Sequence, residues 1–279
     1  MSPEPGVFGP HQLDALVWFY DMHGYATLRG VLTESEVAAV EEECTAAQHA
    51  VIAGELDARH GSTVFLDDEA KARRFANYVE YVSEIAPTVR SAVTHPVLAE
   101  AMSLLVGERA WLREHEQFGV VYQDARPGRQ SGYARIGWHS DWQAGPSLDV
   151  WPSTAFTLHV DATSPANGFL RVVPGSHLWA TPAPFRNANN VDVPATARPA
   201  GGRTDRKPPF AMPLTFDKVP GEVALYAERG DILLHDCYLW HSAARATDDD
   251  SRRRHVRGGY FGGVKAPAGV EEFIKNAAR

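Results

Sequence analysis

Two residue pairs in this 279-residue chain have the types and spacing to grip a metal ion. They are His139-Ser140-Asp141 and His159-Val160-Asp161. On an extended strand, residues i and i+2 point to one face. An imidazole and a carboxylate so spaced can share an ion and leave a third ligand to come from elsewhere. The spacing alone carries little weight. With 12 histidines and 35 acidic residues in the chain, chance supplies roughly one or two such triplets. The residues downstream of each triplet have to decide between them.

Two later segments offer the rest of a site. Leu239-Trp240-His241-Ser242 brings a distal histidine, with His235 as a rival in the same strand region, and Arg252-Arg253-Arg254 lies beyond it. Two histidines and one carboxylate on one face of a metal leave three adjacent positions open, the facial triad of non-haem Fe(II) oxygenases. A keto acid can fill two of those positions and O2 the third. Its far carboxylate then needs a permanently charged, bidentate partner, which Arg supplies. Strand alternation puts Arg252 and Arg254 on the face of Val256, Gly258 and Tyr260. If that face is the inner one, Arg253, His255 and Arg257 face water.

The elements that must position these residues change in character along the chain. Residues 11–23 carry Leu13, Leu16, Val17 and Tyr20 at helical spacing, with Gly24 to end the helix. Residues 25–28 read as a short strand. Thr33 and Glu36 form a capping box for a second helix with Val37, Val40 and Cys44 on its apolar face. Helical regions come next over about 70–85, ending before Pro87, and over 96–106, ending at Gly107. After residue 110 strands dominate: 111–122, 155–160, 169–173, 232–234 and 255–261, with turns at Pro174-Gly175-Ser176 and Gly230-Asp231. Residues 180–220 form a long Pro/Asn/Gly/Arg-rich section without periodicity, the length and composition of a functional lid. No internal repeat is visible. The pattern suggests a β-sandwich or jelly roll backed by N-terminal helices.

Composition narrows the function classes. Hydrophobic residues make up 44% and charged residues 22% of the chain, enough for a sizeable core. A formal net charge of -8 argues against nucleic acid or an anionic membrane surface as partner. Two cysteines, Cys44 and Cys237, exclude a disulfide framework and a Cys-rich zinc site. The first ten residues lack the basic start and apolar run of a signal peptide, and no stretch reaches the ~20 apolar residues of a membrane span. A cytoplasmic protein acting on a small molecule is the expectation; its oligomeric state is not legible.

The chain resembles the phytanoyl-CoA hydroxylase-like dioxygenases. Residues 24–32 look like that family's N-terminal strand and turn. Trp138-His139-Ser140-Asp141 looks like its HxD. Asn167-Gly168-Phe169-Leu170-Arg171-Val172-Val173-Pro174-Gly175-Ser176-His177 is close to its NG-x-L-x-x-x-PGSH run, the most specific match. Gly230 to Leu234, leading to Trp240-His241-Ser242, resembles its distal-histidine strand. The Trp-His-Ser-Asp wording is also similar to ectoine hydroxylases, but Trp142-Gln143-Ala144-Gly145 departs from their pattern, so that substrate is not carried over.

The resemblance implies an α+β fold, a double-stranded β-helix (cupin-like jelly roll) with N-terminal helices packed against the sheet. It would be one domain over 1–279: 1–110 mainly helical, 111–265 the jelly-roll core, and a lid-like insert at about 180–220. It selects His139 and Asp141 over His159 and Asp161, which fall on the strand just before the PGSH run. The implied cofactors are Fe(II) held by His139, Asp141 and His241, 2-oxoglutarate as cosubstrate, and O2. The implied reaction is hydroxylation with release of succinate and CO2. Asp141, where a halogenase needs an open position for chloride, argues against halogenation. Counting eleven residues from the distal histidine gives Arg252 as the 2-oxoglutarate anchor, with Arg254 second; counting back from Tyr260 favours Arg253, ranked third. Gln117 and Gln123 are expected hydrogen-bond partners for the cosubstrate, and Trp142, beside Asp141, an expected substrate contact. A cupin-type isomerase or hydrolase without a keto acid, and a non-catalytic binding module, are the alternatives from other classes.

Overall fold

A computed structural model describes residues 4–61, 64–66, 74–116, 119–126, 136–143, 152–182, 200–213 and 215–265. In chain order the main elements are β1 Val7–Phe8, α1 Leu13–His23, β2 Tyr25–Leu28, α2 Glu34–Ala53, β3 Val64–Leu66, β4 Arg74–Ala76, β5 Tyr78–Val79, α3 Val82–Ile85, α4 Pro87–Val93, α5 Pro96–Val106, β6 Trp111–Leu112, β7 Val121–Ala125, β8 Ser153–His159, β9 Leu170–Val172, β10 Val223–Leu225, β11 Ile232–Asp236, β12 His241–Ala243 and β13 Arg253–Phe261. Among the described residues the large sheet has eight strands, in the order β1-β2-β11-β8-β13-β7-β5, with β6 paired to β13. A smaller sheet runs β10-β9-β12, and β3 pairs with β4. The fold is the expected α+β double-stranded β-helix.

Both faces of the large sheet are covered, and they differ. Cross-strand partners share a face. Leu158 on β8, Val256 on β13 and Tyr122 on β7 are one such row. With Phe156, Ile232, Leu234 and Tyr260 they pack against Leu16, Tyr20, Val40, Cys44, Val89, Leu98 and Met102 from the helices. Each fully buried aliphatic or aromatic side chain there contributes about 1.5–3 kcal/mol. The alternate residues point the other way. His159, His255 and Gln123 form one row of that second face, and Thr157, Arg257 and Val121 the next. The small sheet covers it: His235 on β11 and His241 on β12 have ring centroids 4.5 Å apart. This second face lines the cup.

The N-terminal elements largely reflect local sequence signals. Gly24 ends α1 at φ 81°, and Thr33 with Glu36 caps α2 as a capping box. The N-terminal third is less helical than expected, because β1, β2 and β5 belong to the large sheet. Of the helix expected over about 70–85, only the end forms among the described residues. Residues 74–76 and 78–79 are strands, paired with β3 and β7, and only Val82–Ile85 is helical. Strand partners there override local helical propensity. The strand expected over 111–122 is two strands, interrupted near His115, whose φ is +62°. No helix of the described residues is long and apolar enough to cross a membrane.

Candidate metal centre

His139, Asp141 and His241 come together with one ligand atom each, all within 4.8 Å of one another. The two histidines are cross-strand neighbours. His139 N–H donates to the His241 carbonyl at 3.0 Å, and His241 N–H to the His139 carbonyl at 2.9 Å. Asp141 then opens a short 3-10 turn, Asp141–Gln143. The i, i+2 relation therefore comes from a β-bridge running into a turn, where the sequence suggested a continuous strand. Trp142 N–H donates to the Cys237 carbonyl at 3.0 Å, tying that turn to the loop before His241.

Both imidazoles are locked in the tautomer a metal requires. His139 Nδ1 lies 2.8 Å from the Gly137 carbonyl, and His241 Nδ1 lies 2.9 Å from the Leu239 carbonyl. A carbonyl can only accept, so each Nδ1 carries a proton, and Nε2 is the ring nitrogen left to face a metal. Burial first, and the neighbouring His139 and His235 second, hold His241 well below its ordinary pKa. It is thus a neutral ligand at physiological pH. Asp141 stays ionised. Burial would raise its carboxyl, but the hydrogen bond from His235, with the surrounding His241, His235 and His139 rings, outweighs that and holds it well below the usual range. Two imidazole nitrogens and one carboxylate are a donor set that fits Fe(II).

His235 belongs to this group without being one of its three. Its Nε2 is 3.2 Å from Asp141 Oδ2, while Asp141 Oδ1 is 3.7 Å from His241 Nε2. The arrangement commits one carboxylate oxygen to His235 and leaves the other toward the histidine ligands.

The segments around the ligands are braced by residues of the PGSH run. Ser176 Oγ accepts from Trp240 N–H at 2.8 Å. Gly175 N–H donates to the His23 carbonyl at 3.0 Å. His177 packs onto Gly24 so closely that a Cβ there would sit 2.5 Å from its Nδ1. The run thus clasps the end of α1 to the residue preceding His241. Trp138, preceding His139, is buried with Trp240, Val173, Met212 and Val219. The Arg171 guanidinium lies over its ring at 4.9 Å and also reaches Ser242 Oγ at 3.3 Å. Arg171 therefore holds the neighbours of both histidine ligands, a role that its place in the motif did not reveal.

The arginines separate by face. Arg252, an exposed residue, pairs with the fully buried Asp124 at 2.8 Å. Arg254 makes a two-pronged pair with Asp161, at 2.9 and 2.6 Å, and a second with Glu41 at 2.7 Å. Arg254 lies on the helix side and both are committed to carboxylates, so the structure does not bring these two expected anchors to the metal group. Arg253 is the one on the cup face, only 7% exposed. His159 and His255 flank it, with rings 5.9 Å apart. Burial first and Arg253 second push His159 down to about 3 and His255 well below its ordinary value. Gln123 Oε1 is 3.1 Å from His255 Nε2 in the same row. Gln117 lies outside the described residues. Trp142 is buried at 4% exposure against Cys237, Tyr238 and Phe261, and Gly201 abuts its indole; packing, not an open wall, is its visible role. Of the expected lid, residues 183–199 and 214 lie outside the described residues. Its described parts pack down: Arg203 pairs with the buried Asp236 at 2.6 Å.

The family model described as phytanoyl-CoA dioxygenase matches residues 20–254. The chain belongs to that family. The family is one of non-haem iron, 2-oxoglutarate-dependent oxygenases, and the chain is an enzyme of that class. Its fold is similar to that of the epimerase SnoN, solved with Fe3+, alpha-ketoglutarate and nogalamycin RO, at TM-score 0.61 and 23% identity over 91% of this chain and 84% of that one. It is similar also to EctD from S. alaskensis, solved with 2-oxoglutarate and 5-hydroxyectoine, at TM-score 0.58 and 18% identity over 93% and 81%. A third similar structure is the carbocyclase SnoK from nogalamycin biosynthesis, at TM-score 0.56 and 20% identity over 88% and 83%. No curated protein sequence matches the chain.

Proposed function

We propose that this family member hydroxylates an unactivated C–H bond of a small molecule, a secondary metabolite or an amino-acid-like compound, with release of succinate and CO2. The observation that carries the reading is the convergence of two imidazoles and one ionised carboxylate, all held from behind by backbone carbonyls and His235. His139, Asp141 and His241 would hold Fe(II). Iron bound there, with 2-oxoglutarate and O2, supplies the oxidising equivalents for attack on a C–H bond.

The remaining work falls to side chains of the cup. Arg253, enclosed and permanently charged, pairs with the far carboxylate of 2-oxoglutarate. His159 and His255 beside it stay neutral, so they line the cosubstrate without adding charge, and Gln123 orients His255. His235 fixes the rotation of the Asp141 carboxylate. Trp138 and Trp240 exclude water behind the ligands. Family membership favours this reading over a cupin-type isomerase or hydrolase that uses no keto acid, and the intact donor set favours it over a non-catalytic module. A cytoplasmic location and a small-molecule partner belong to the same proposal.

The test is anaerobic titration of the protein with Fe(II) and 2-oxoglutarate, followed by succinate analysis after O2 is admitted. A weak visible charge-transfer band and succinate are expected from the wild type, and neither from His139→Ala or Asp141→Ala. Band and succinate surviving in both variants would overturn the assignment.

A further inference from the structure

Among the described residues, the cup face carries a second arginine, Arg257, besides the Arg253 assigned to the cosubstrate. Arg257 on β13 stands opposite Thr157 on β8 and Val121 on β7, and alternation puts it on the side of His255, His159 and Gln123. It is half-buried. Its Nε is buried and has no hydrogen-bond partner. Its guanidinium lies 5.3 Å from the centroid of the Tyr78 ring. Among the described residues no carboxylate lies within ion-pair distance of it. The contrast with other arginines is direct: Arg171, Arg203, Arg252 and Arg254 each have one.

A permanent charge drawn out of water without a counter-charge is costly, and a ring face offsets only part of that cost. Its neighbour His255 is neutral and offers no negative charge. Position suggests what does. β13 runs from Arg253 toward Gly259, and Gly259 is level with Ala155 and, through it, with His235, which touches Asp141. Arg257 is one pleat short of that level, roughly 7 Å along the strand. It lies between the enclosed Arg253 and the metal group, and it is the more open of the two arginines.

We propose that Arg257 is the docking point for an anionic oxygen group, a carboxylate or a phosphate, carried by the substrate. The proposal rests on the reading of Arg253 as the cosubstrate anchor. It narrows the substrate class from any small molecule to an acid whose oxidised carbon lies a short reach from its anionic group.

Calorimetric titration of the anaerobic Fe(II)–2-oxoglutarate complex tests it, with 2-oxoglutarate saturating and with benzoate, phenyl phosphate and benzamide as matched probes. The wild type should bind at least one acid about tenfold tighter than the neutral amide, as a charge-assisted contact implies. Arg257→Gln should erase that preference and keep 2-oxoglutarate affinity within about twofold. The tighter of the two acids distinguishes carboxylate from phosphate. A second readout needs no ligand: Arg257→Met, which removes an uncompensated charge, should raise the thermal midpoint of the apoprotein. Acids binding no tighter than the amide, a preference that survives in Arg257→Gln, or loss of 2-oxoglutarate binding in Arg257→Gln would each overturn the proposal. If instead Arg253→Gln keeps normal 2-oxoglutarate affinity while Arg257 behaves as stated, only the anchor reading fails.

Discussion

The two faces of β13 carry arginines of the same sequence cluster and treat them oppositely. On the helix side, Arg254 is saturated by Asp161 and Glu41, and Arg252, at the strand's edge, by Asp124. These charges hold the sheet to its surroundings. On the cup side, Arg253 and Arg257 stand among neutral histidines. Pairing consumes a charge, and a charge already paired within the protein has little left for a ligand. One face therefore uses its arginines for stability, and the other is the face on which the proposed ligand contacts of Arg253 and Arg257 lie.

The contrast can be broken at several points. The largest effect is expected at the metal ligands themselves: His241→Ala should abolish Fe(II) binding in equilibrium dialysis while the far-ultraviolet spectrum stays native. Next comes Arg253→Gln, which should raise the 2-oxoglutarate Kd by about 100-fold, the loss of a bidentate charged pair, with little change in unfolding free energy. If Arg253→Gln instead unfolds the protein and leaves Kd alone, the cup face is structural too.

Asp124→Asn should show the reverse pattern. It should cost about 2–4 kcal/mol of stability, as expected when one partner of a buried pair is removed, and leave the 2-oxoglutarate Kd unchanged. The cost should also depend on pH. Burial pushes the Asp124 carboxyl up, but the hydrogen bond and charge of Arg252, with Arg126 and Gln48, bring it below its ordinary value. Its contribution is therefore complete above the ordinary carboxylate range and lost as pH falls through the lower folded-state value. Chemical denaturation of wild type and Asp124→Asn should accordingly converge in acid; a constant gap down to the lowest pH would contradict the pairing.

Removing the His235 contact is a gentler probe. His235→Ala should weaken Fe(II) about 10- to 100-fold, the usual cost of losing an outer partner of a ligand, and a wild-type affinity would show that Asp141 needs no such support. The smallest effect belongs to Arg252→Gln. Its side chain is 43% exposed, so only about 1 kcal/mol or less should be lost, with 2-oxoglutarate affinity unchanged. A selective rise in the 2-oxoglutarate requirement there would restore Arg252 as the anchor.

Much of the site was legible in the chain. The order HxD, PGSH run, distal histidine and arginine cluster pointed to His139, Asp141 and His241, and the structure brings those three together. Local signals placed α1, its Gly24 stop and the Thr33 capping box, because caps and amphipathic spacing are written in neighbouring residues. Residues 74–79 escaped that logic, since their strand conformation depends on partners far away in sequence.

The choice among the arginines was beyond sequence for a different reason. Alternation correctly grouped Arg254 with Val256 and Tyr260, and Arg253 with His255 and Arg257. It could not say what each face met. A strand in a sheet with one wet face has a single interior, and an apolar residue marks it. This sheet has two interiors, an apolar one against the helices and a polar one inside the cup. The sequence determined which residues share a face; only the tertiary structure decided which face carries the His139, Asp141 and His241 group.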